Sequence, residues 1–225
     1  MRLYEKIRKK TICFIPIKEN SQRLKFKNFR KIGNKPLFKH TIDKVIKIKD
    51  FDKVIVDTDS KKIQDYCKLN NIKFIKRLDY LKSKKSNGND LLKYWIQIEP
   101  NYEYYFQLHV TSPFVKRDSI RKCIKEIQTN KKINSIFTAT KEHSWYWYNK
   151  KPINFKKYKL TRSQELKPII RDITFLYGIS KIEFLKNNSR IGSKPYPFIV
   201  SQKESVDINE SFDLEFARNM FKIYT

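Results

Sequence analysis

Every residue from 12 to 17 is apolar, with no alternation, which suits a strand buried on both faces. A polar loop follows, and helical spacing returns over 35–48. The pattern then repeats: a strand over 53–57 ending in Thr58-Asp59-Ser60, a helix over 61–70, and a short strand over 72–75. A polar loop over 82–89 holds one of only four glycines, and Asp90 is placed to cap a helix running to about Ile98, which Pro100 helps to end. Residues 102–110 are aromatic and β-branched, a strand that stops at Thr111-Ser112-Pro113. A helix over 117–129 and a strand over 135–140 continue the series. A strand over 173–179, a turn-rich stretch over 190–197, a short extended piece at Ile199-Val200 and a helix over 211–221 capped by Ser211 complete it.

Strands alternating with helices predict an α/β, three-layer architecture: a mostly parallel sheet with helices on both faces. Such sheets bind ligands at the carboxyl ends of their strands, where Lys18, Asp59, Asn89, Thr111 and Ser112 all fall. The first loop carries Lys18, Arg23, Lys25 and Lys27, and strand, basic loop and helix together make a natural anion site. Neither GxxxxGK[ST] nor GxGxxG is present. Spacing alone therefore favours the plainer alternative, an ordinary first βα unit with a solvated basic loop.

From 141 to 166 the alternation breaks, and the chain becomes densely aromatic and basic, with Trp145, Tyr146, Trp147 and Tyr148 ahead of Lys150 and Lys151. Aromatics interleaved with basic residues suit single-stranded nucleic acid, or an arm that packs against a second subunit. The arm is preferred, because this segment interrupts the sheet and does not bury its own rings. One domain over 1–225 is expected, with 141–170 as a projecting dimerisation arm.

The formal charge is +27, but the lysines run from end to end alongside a bias toward Ile, Asn and Tyr. The charge attracts anions without choosing a partner. Cys13, Cys67 and Cys123 are far apart and no CxxC occurs, which argues against a disulfide framework or structural zinc. The apolar run behind the basic residues 1–10 is too short for a signal peptide, and no stretch approaches a membrane span. A cytoplasmic setting and no membrane partner are expected.

Taken in order, the segments resemble the acylneuraminate cytidylyltransferases, which activate acidic sugars. The resemblance rests on Ile15-Pro16-Ile17-Lys18 followed by Ser21-Gln22-Arg23-Leu24-Lys25-Phe26-Lys27-Asn28, on Gly33-Asn34-Lys35-Pro36-Leu37, and on Asp57-Thr58-Asp59. It continues through Gly88-Asn89-Asp90-Leu91-Leu92, His109-Val110-Thr111-Ser112-Pro113, Arg162-Ser163-Gln164-Glu165-Leu166 and Arg190-Ile191-Gly192. It closes on Lys194-Pro195-Tyr196, Val206-Asp207-Ile208-Asn209 and Asp213-Leu214. The resemblance implies a nucleotide-diphospho-sugar transferase (Rossmann-like) fold, a homodimer, and transfer of CMP from CTP to an acidic keto sugar, with Mg²⁺ as cofactor.

The resemblance also implies roles. Lys18, Arg23 and Lys27 would hold the triphosphate and offset charge on the leaving pyrophosphate, with Lys27 foremost. Asn20, Ser21, Gly88, Asn89, Thr111 and Ser112 would bind the nucleotide. His109, Arg162 and Gln164 would bind the sugar, Arg162 by a bidentate grip on its carboxylate. Asp207 and Asn209 would hold the metal. Plainer roles stand beside these: Asp59, Asp90, Thr111, Ser112 and Asp207 as caps or loop residues, and Arg162 and Gln164 as interface packing.

The chain departs from the family pattern at several positions. Asn209 replaces a second acidic residue, Lys18 stands where arginine is common, and Lys25 stands where proline is usual. Arg171-Asp172-Ile173-Thr174 replaces a Glu-Asn-Gly segment. A deoxyoctulosonate-type or other acid is the neighbouring alternative. A nucleic-acid-binding protein and an inactive scaffold on the same fold are the alternatives of another class.

Overall fold

The computed structural model describes residues 9–83, 85–159 and 161–224. A seven-stranded sheet forms its centre. The strands are β1 (Thr11–Ile17), β2 (Lys53–Thr58), β3 (Phe74–Lys76), β4 (Tyr104–Leu108), β5 (Ser135–Glu142), β6 (Ile169–Ser180) and β7 (Pro195–Ile199). Their spatial order is β7-β5-β6-β4-β1-β2-β3. All neighbours pair in parallel except β6, which runs antiparallel to both β4 and β5.

The unbroken apolar run of β1 is explained by helices on both sides of it. Cys13, Ile15 and Ile17 pack into one core with α1 (Leu37–Val45), α2 (Lys61–Leu69) and α5 (Arg117–Thr129). Ile12 and Phe14 face the opposite core with α3 (Asp79–Lys82), α4 (Gly88–Ile98) and α6 (Lys181–Asn187). The period of two that separates these sets is the pleat itself. A third cluster lies off the sheet, where Leu214 and Ala217 of α7 (Ser211–Tyr224) pack on Leu24, Ile32, Leu37 and Ile208. It fastens the last helix beneath the first loop.

Several expectations are corrected. Asn87, not Asp90, caps α4: its Oδ1 accepts from Asn89 N at 2.7 Å, while the Asp90 carboxylate accepts from Asn87 N at 2.8 Å. Ser211 is the first residue of α7 rather than its cap, and Asp213 Oδ2 accepts from Asn209 N and Glu210 N instead. The expected first helix gives up Lys35-Pro36 to a two-residue hairpin with Lys31-Ile32. Lys141, Glu142, Ile169 and Ile170, assigned from sequence to the arm, belong to the sheet, where Ile169–Asp172 of β6 pairs with Ala139–Glu142 of β5. A register shift between Asp172 and Tyr177 follows, with Thr174 at φ 53°. The rest of the segment expected as an arm holds a short hairpin, Trp147–Tyr148 with Lys151–Pro152, and a 3-10 turn over Ser163–Glu165. Among the described residues no helix is long and apolar enough to cross a membrane.

The second core encloses an ion pair. Asp57 Oδ1 accepts from Arg77 Nε at 2.8 Å, Asp57 Oδ2 accepts from Trp95 Nε1 at 2.6 Å, and Arg77 Nη2 donates to the Asp57 carbonyl at 3.0 Å. Both ionic side chains are buried, and Trp95 stacks on Phe14 with ring centroids 4.5 Å apart. Removing one partner strands the other charge away from water. Asp57→Leu is therefore expected to cost about 3–5 kcal/mol, read from urea unfolding. A loss below about 1 kcal/mol would show that Arg77 reaches solvent or another partner.

Candidate active site

The carboxyl ends of β1 and β4 open into a cleft of about 640 Å³, and the loop ahead of α7 supplies Asn209 to its wall. Lys18, Asn20, Ser21, Arg23, Lys27, His109 and Thr111 also line it, together with Asp59 and Lys82.

Specific contacts hold the first loop. Asp59 Oδ1 accepts from Glu19 N at 2.7 Å, and Ser60 Oγ donates to Glu19 Oε1 at 3.2 Å. Asp59 thus shapes the loop rather than capping α2, whose cap position is Ser60. Asn28 Nδ2 donates to the Lys18 carbonyl at 2.7 Å, which closes the loop at its far end. Phe26 adopts the left-handed conformation (φ 55°) just before a 3-10 turn over Lys27–Phe29. That turn carries Lys27 inward.

Lys27 is only 8% exposed, and its Nζ donates to the Ile208 carbonyl at 2.7 Å. Burial lowers its pKa, the nearby Asp207 carboxylate opposes that shift, and Arg23 adds to it. Lys18 is also lowered, first by partial burial and then by the charge of Arg77, with Asp59 opposing. Arg23 Nη2 donates to Asn209 Oδ1 at 2.6 Å, and Asn209 Nδ2 donates to Asp207 Oδ2 at 2.6 Å. The first and last loops therefore form one polar chain, Arg23 to Asn209 to Asp207.

This chain bears on metal binding. Asn209 presents its oxygen to Arg23 and its nitrogen to Asp207, so the two do not form a pair of oxygen ligands. Asp207 stands behind Asn209 along a neighbouring groove beside α7, where Ser112 Oγ and Thr174 Oγ1 approach its carboxylate at 3.4 and 3.5 Å. Among the described residues no group of three His, Cys, Asp or Glu converges as a metal cage. A single carboxylate working with substrate phosphates still suits Mg²⁺, which seldom takes an all-protein shell.

His109 follows β4 directly, with its main-chain N donating to the Phe175 carbonyl at 2.8 Å. Its Nε2 is buried without a hydrogen-bond partner among the described residues. Burial, reinforced by the charges of Arg190, Lys27 and Arg77, lowers its pKa to about 3. The imidazole is neutral, and its enclosed Nε2 has no protein partner among the described residues.

Of the remaining predicted residues only Thr111 lines the cleft. Ser112 is fully buried and serves Asp207, and Thr111 uses its carbonyl to accept from Ile208 N at 2.9 Å. Neither caps α5, whose first turn is met by Glu204, accepting from Lys116 N at 2.9 Å and Ser119 Oγ at 2.6 Å. Gly88 and Asn89 open α4 and are occupied by protein: Asn89 Oδ1 accepts from Arg190 N at 3.0 Å. A Cβ on Gly88 would lie 2.5 Å from Arg190 Nη1, so a side chain there would shift the guanidinium. Arg162 and Gln164 are exposed, flank or lie in the 3-10 turn, and line neither the cleft nor the groove beside α7. The structure does not bring these two to the site.

Sequence reasoning did not assign a role to Arg190, although Arg190-Ile191-Gly192 was one of the segments carrying the resemblance. It also missed Gln107, whose Oε1 accepts from Arg190 Nη1 at 2.7 Å. Gln107 lies on the same face of β4 as His109, two residues away, which was its available signal.

A family model described as cytidylyltransferase matches residues 12–201, most of the chain and all of the cleft except Asn209. The chain belongs to the cytidylyltransferase family. It is 25% identical over 221 residues to an N-acylneuraminate cytidylyltransferase of Escherichia coli O18:K1:H7, with 94% of this chain and 52% of that protein covered. The chain thus spans about half the length of that relative. It is 24% identical over 227 residues to a CMP-N,N'-diacetyllegionaminic acid synthase of Legionella pneumophila, with 94% of this chain and 96% of that protein covered. A solved CMP:2-keto-3-deoxy-manno-octonic acid synthetase complexed with CTP shares the fold at a TM-score of 0.71 and 14% identity, covering 96% of this chain and 100% of that one. This family fold has β6 reversed within an otherwise parallel sheet here.

The state of His109 gives a pH prediction. An unfolded histidine takes up a proton near pH 6.5, whereas the folded one waits until about pH 3. The unfolded state therefore binds more protons across that window, and stability falls as pH drops through it. NMR should show no titration of the His109 imidazole between pH 5 and 8, and His109→Gln should flatten the acid-side loss of stability. An imidazole titrating near pH 6.5 would contradict the buried neutral state.

Proposed function

We propose that the chain transfers CMP from CTP to the anomeric hydroxyl of an acidic keto sugar, releasing pyrophosphate. The observation that carries this reading is the convergence of Lys18, Arg23 and Lys27 on one strand-end cleft in a member of the cytidylyltransferase family. Three cations on one side of a cleft suit a triphosphate, whose charge they would neutralise where it develops.

In this reaction the sugar oxygen bonds to the α-phosphorus, the bond from that phosphorus to the bridging oxygen breaks, and pyrophosphate leaves with the electron pair. The hydroxyl proton passes to solvent or to a base. Lys18 and Arg23, at the open face, would bind and orient the phosphates. Lys27 would act from beneath, as a fixed charge pinned by Ile208. Bound Mg²⁺, held by Asp207 and the CTP phosphates, would supply further charge neutralisation.

The sugar is of the acylneuraminate, legionaminate or octulosonate class, three acidic keto sugars that the relatives and the fold neighbour bring forward. A homodimer through residues 141–170 accords with the exposed Trp147, Tyr148 and Tyr158 on that segment. A cytoplasmic setting accords with three buried, unpaired cysteines.

The deciding experiment supplies Mg²⁺, each nucleoside triphosphate in turn and a panel of keto sugar acids, and measures pyrophosphate. Release that requires both CTP and one acid is expected. Lys27→Ala should lower kcat by about 10²–10³-fold with an unchanged circular dichroism spectrum. Release with no nucleotide–acid pair would overturn the reading, and full activity in Lys27→Ala would remove Lys27 from the site.

A further inference from the structure

The arginines of this protein differ in what they meet. Arg77 pairs with Asp57, Arg121 with Asp50, and Arg171 with Glu142. Arg190, half-buried in the loop after α6, has no carboxylate partner among the described residues. One guanidinium N–H bond is present, from Nη1 to Gln107 Oε1 at 2.7 Å. An arginine carries five such donors in a planar fork, so most of this fork faces no described protein acceptor.

Its placement is fixed. The guanidinium carbon lies 3.6 Å from the centroid of the Tyr177 ring, a cation–π stack on a residue only 3% exposed. Tyr177 is itself held by its hydroxyl, which donates to Asp172 Oδ2 at 2.7 Å. His109 meets the same ring in a T-shaped contact, with centroids 6.3 Å apart and planes at 85°. Arg190 and His109 therefore share Tyr177. One brings an uncompensated, pre-oriented cation, and the other a buried ring nitrogen without a partner. His109 Nε2 is the buried polar atom left unpaired, and the half-buried Arg190 fork beside it has donors to spare for an anionic ligand.

The ligand's chemistry follows from position. The cations placed for the triphosphate come from the first loop, whereas Arg190 lies beyond His109, toward β6. A second anion is needed there, and the acceptor sugar of the proposed reaction has one. We propose that Arg190, with His109 beside it, binds the carboxylate of the acidic sugar, the task that sequence reasoning gave to Arg162. This inference rests on the reading of the chain as a transferase acting on an acidic keto sugar.

The test titrates N-acetylneuraminate, N,N'-diacetyllegionaminate and 2-keto-3-deoxy-manno-octonate, and the methyl ester of each, into CMP-saturated protein by calorimetry, with pyrophosphate release followed in parallel. In the native protein at least one acid should bind and its ester should bind more weakly, by about tenfold or more. Arg190→Gln should weaken the acid by about tenfold or more, leave the ester unchanged and leave CTP affinity unchanged. Arg190→Lys keeps the charge without the fork and should fall between the two. It guards against a folding defect in the glutamine variant, as does the melting temperature.

Equal binding of acid and ester to the native protein, native-like acid binding in Arg190→Gln, or no binding of any acid would overturn the inference. Acid binding that depends on Arg190 without any pyrophosphate release would keep this site and overturn the transfer reaction instead.

Discussion

The ammonium of Lys27, held under the cleft against the Ile208 carbonyl, is the contact on which the site depends. A buried cation is tolerated only where acceptors and opposite charge surround it. Here the carbonyl is a direct partner, and Asp207 and Asp213 oppose part of the effect of burial, which still lowers the pKa. The arrangement joins residues at opposite ends of the chain, so the first loop and the segment before α7 behave as one wall. Leu24, Ile208 and Leu214 form the apolar counterpart of the same junction. Arg23, reaching Asp207 through Asn209, is its polar rim.

The sheet makes that junction possible. β1 is sandwiched between two cores and paired on both edges, so its carboxyl end is a rigid point from which the loop departs. β2 ends beside it and delivers Asp59 to the main chain of Glu19. β4 ends on the other side and delivers His109 and Thr111. β6 runs the opposite way and, through its register shift, turns Thr174 toward Asp207 and Tyr177 toward His109. The cleft is thus a product of strand order and of one irregular strand.

Much of this was legible in the residues. The unalternating run of β1, the strand ending at Asp59 and the α5 pattern all appear in the structure close to where periodicity put them, because each buries a continuous face. Lys18, Arg23 and Lys27 were legible as a group from their shared loop. The illegible features depend on partners far away in sequence. Asp59 looked like a helix cap, and its bond to Glu19 has no local signature. Arg190 meets Gln107 across 83 positions, and its stack on Tyr177 follows from the sheet rather than from spacing. α6 escaped notice because it is one short helix with exposed Ile182 and Leu185, which blurs its apolar face. Arg162 and Gln164 were placed by resemblance alone, and the structure leaves them exposed on a segment away from the cleft.

In the proposed reaction the cleft between the first and last loops is a CTP site whose phosphates would be met by Lys18, Arg23 and Lys27. Calorimetric titration of CTP, UTP, ATP and GTP, each with Mg²⁺, into the native protein tests it most directly. One saturable site is expected that prefers CTP and is lost when Lys18 and Arg23 are both replaced by alanine. Equal binding of all four nucleotides, or CTP binding unchanged in the doubly substituted protein, would contradict it.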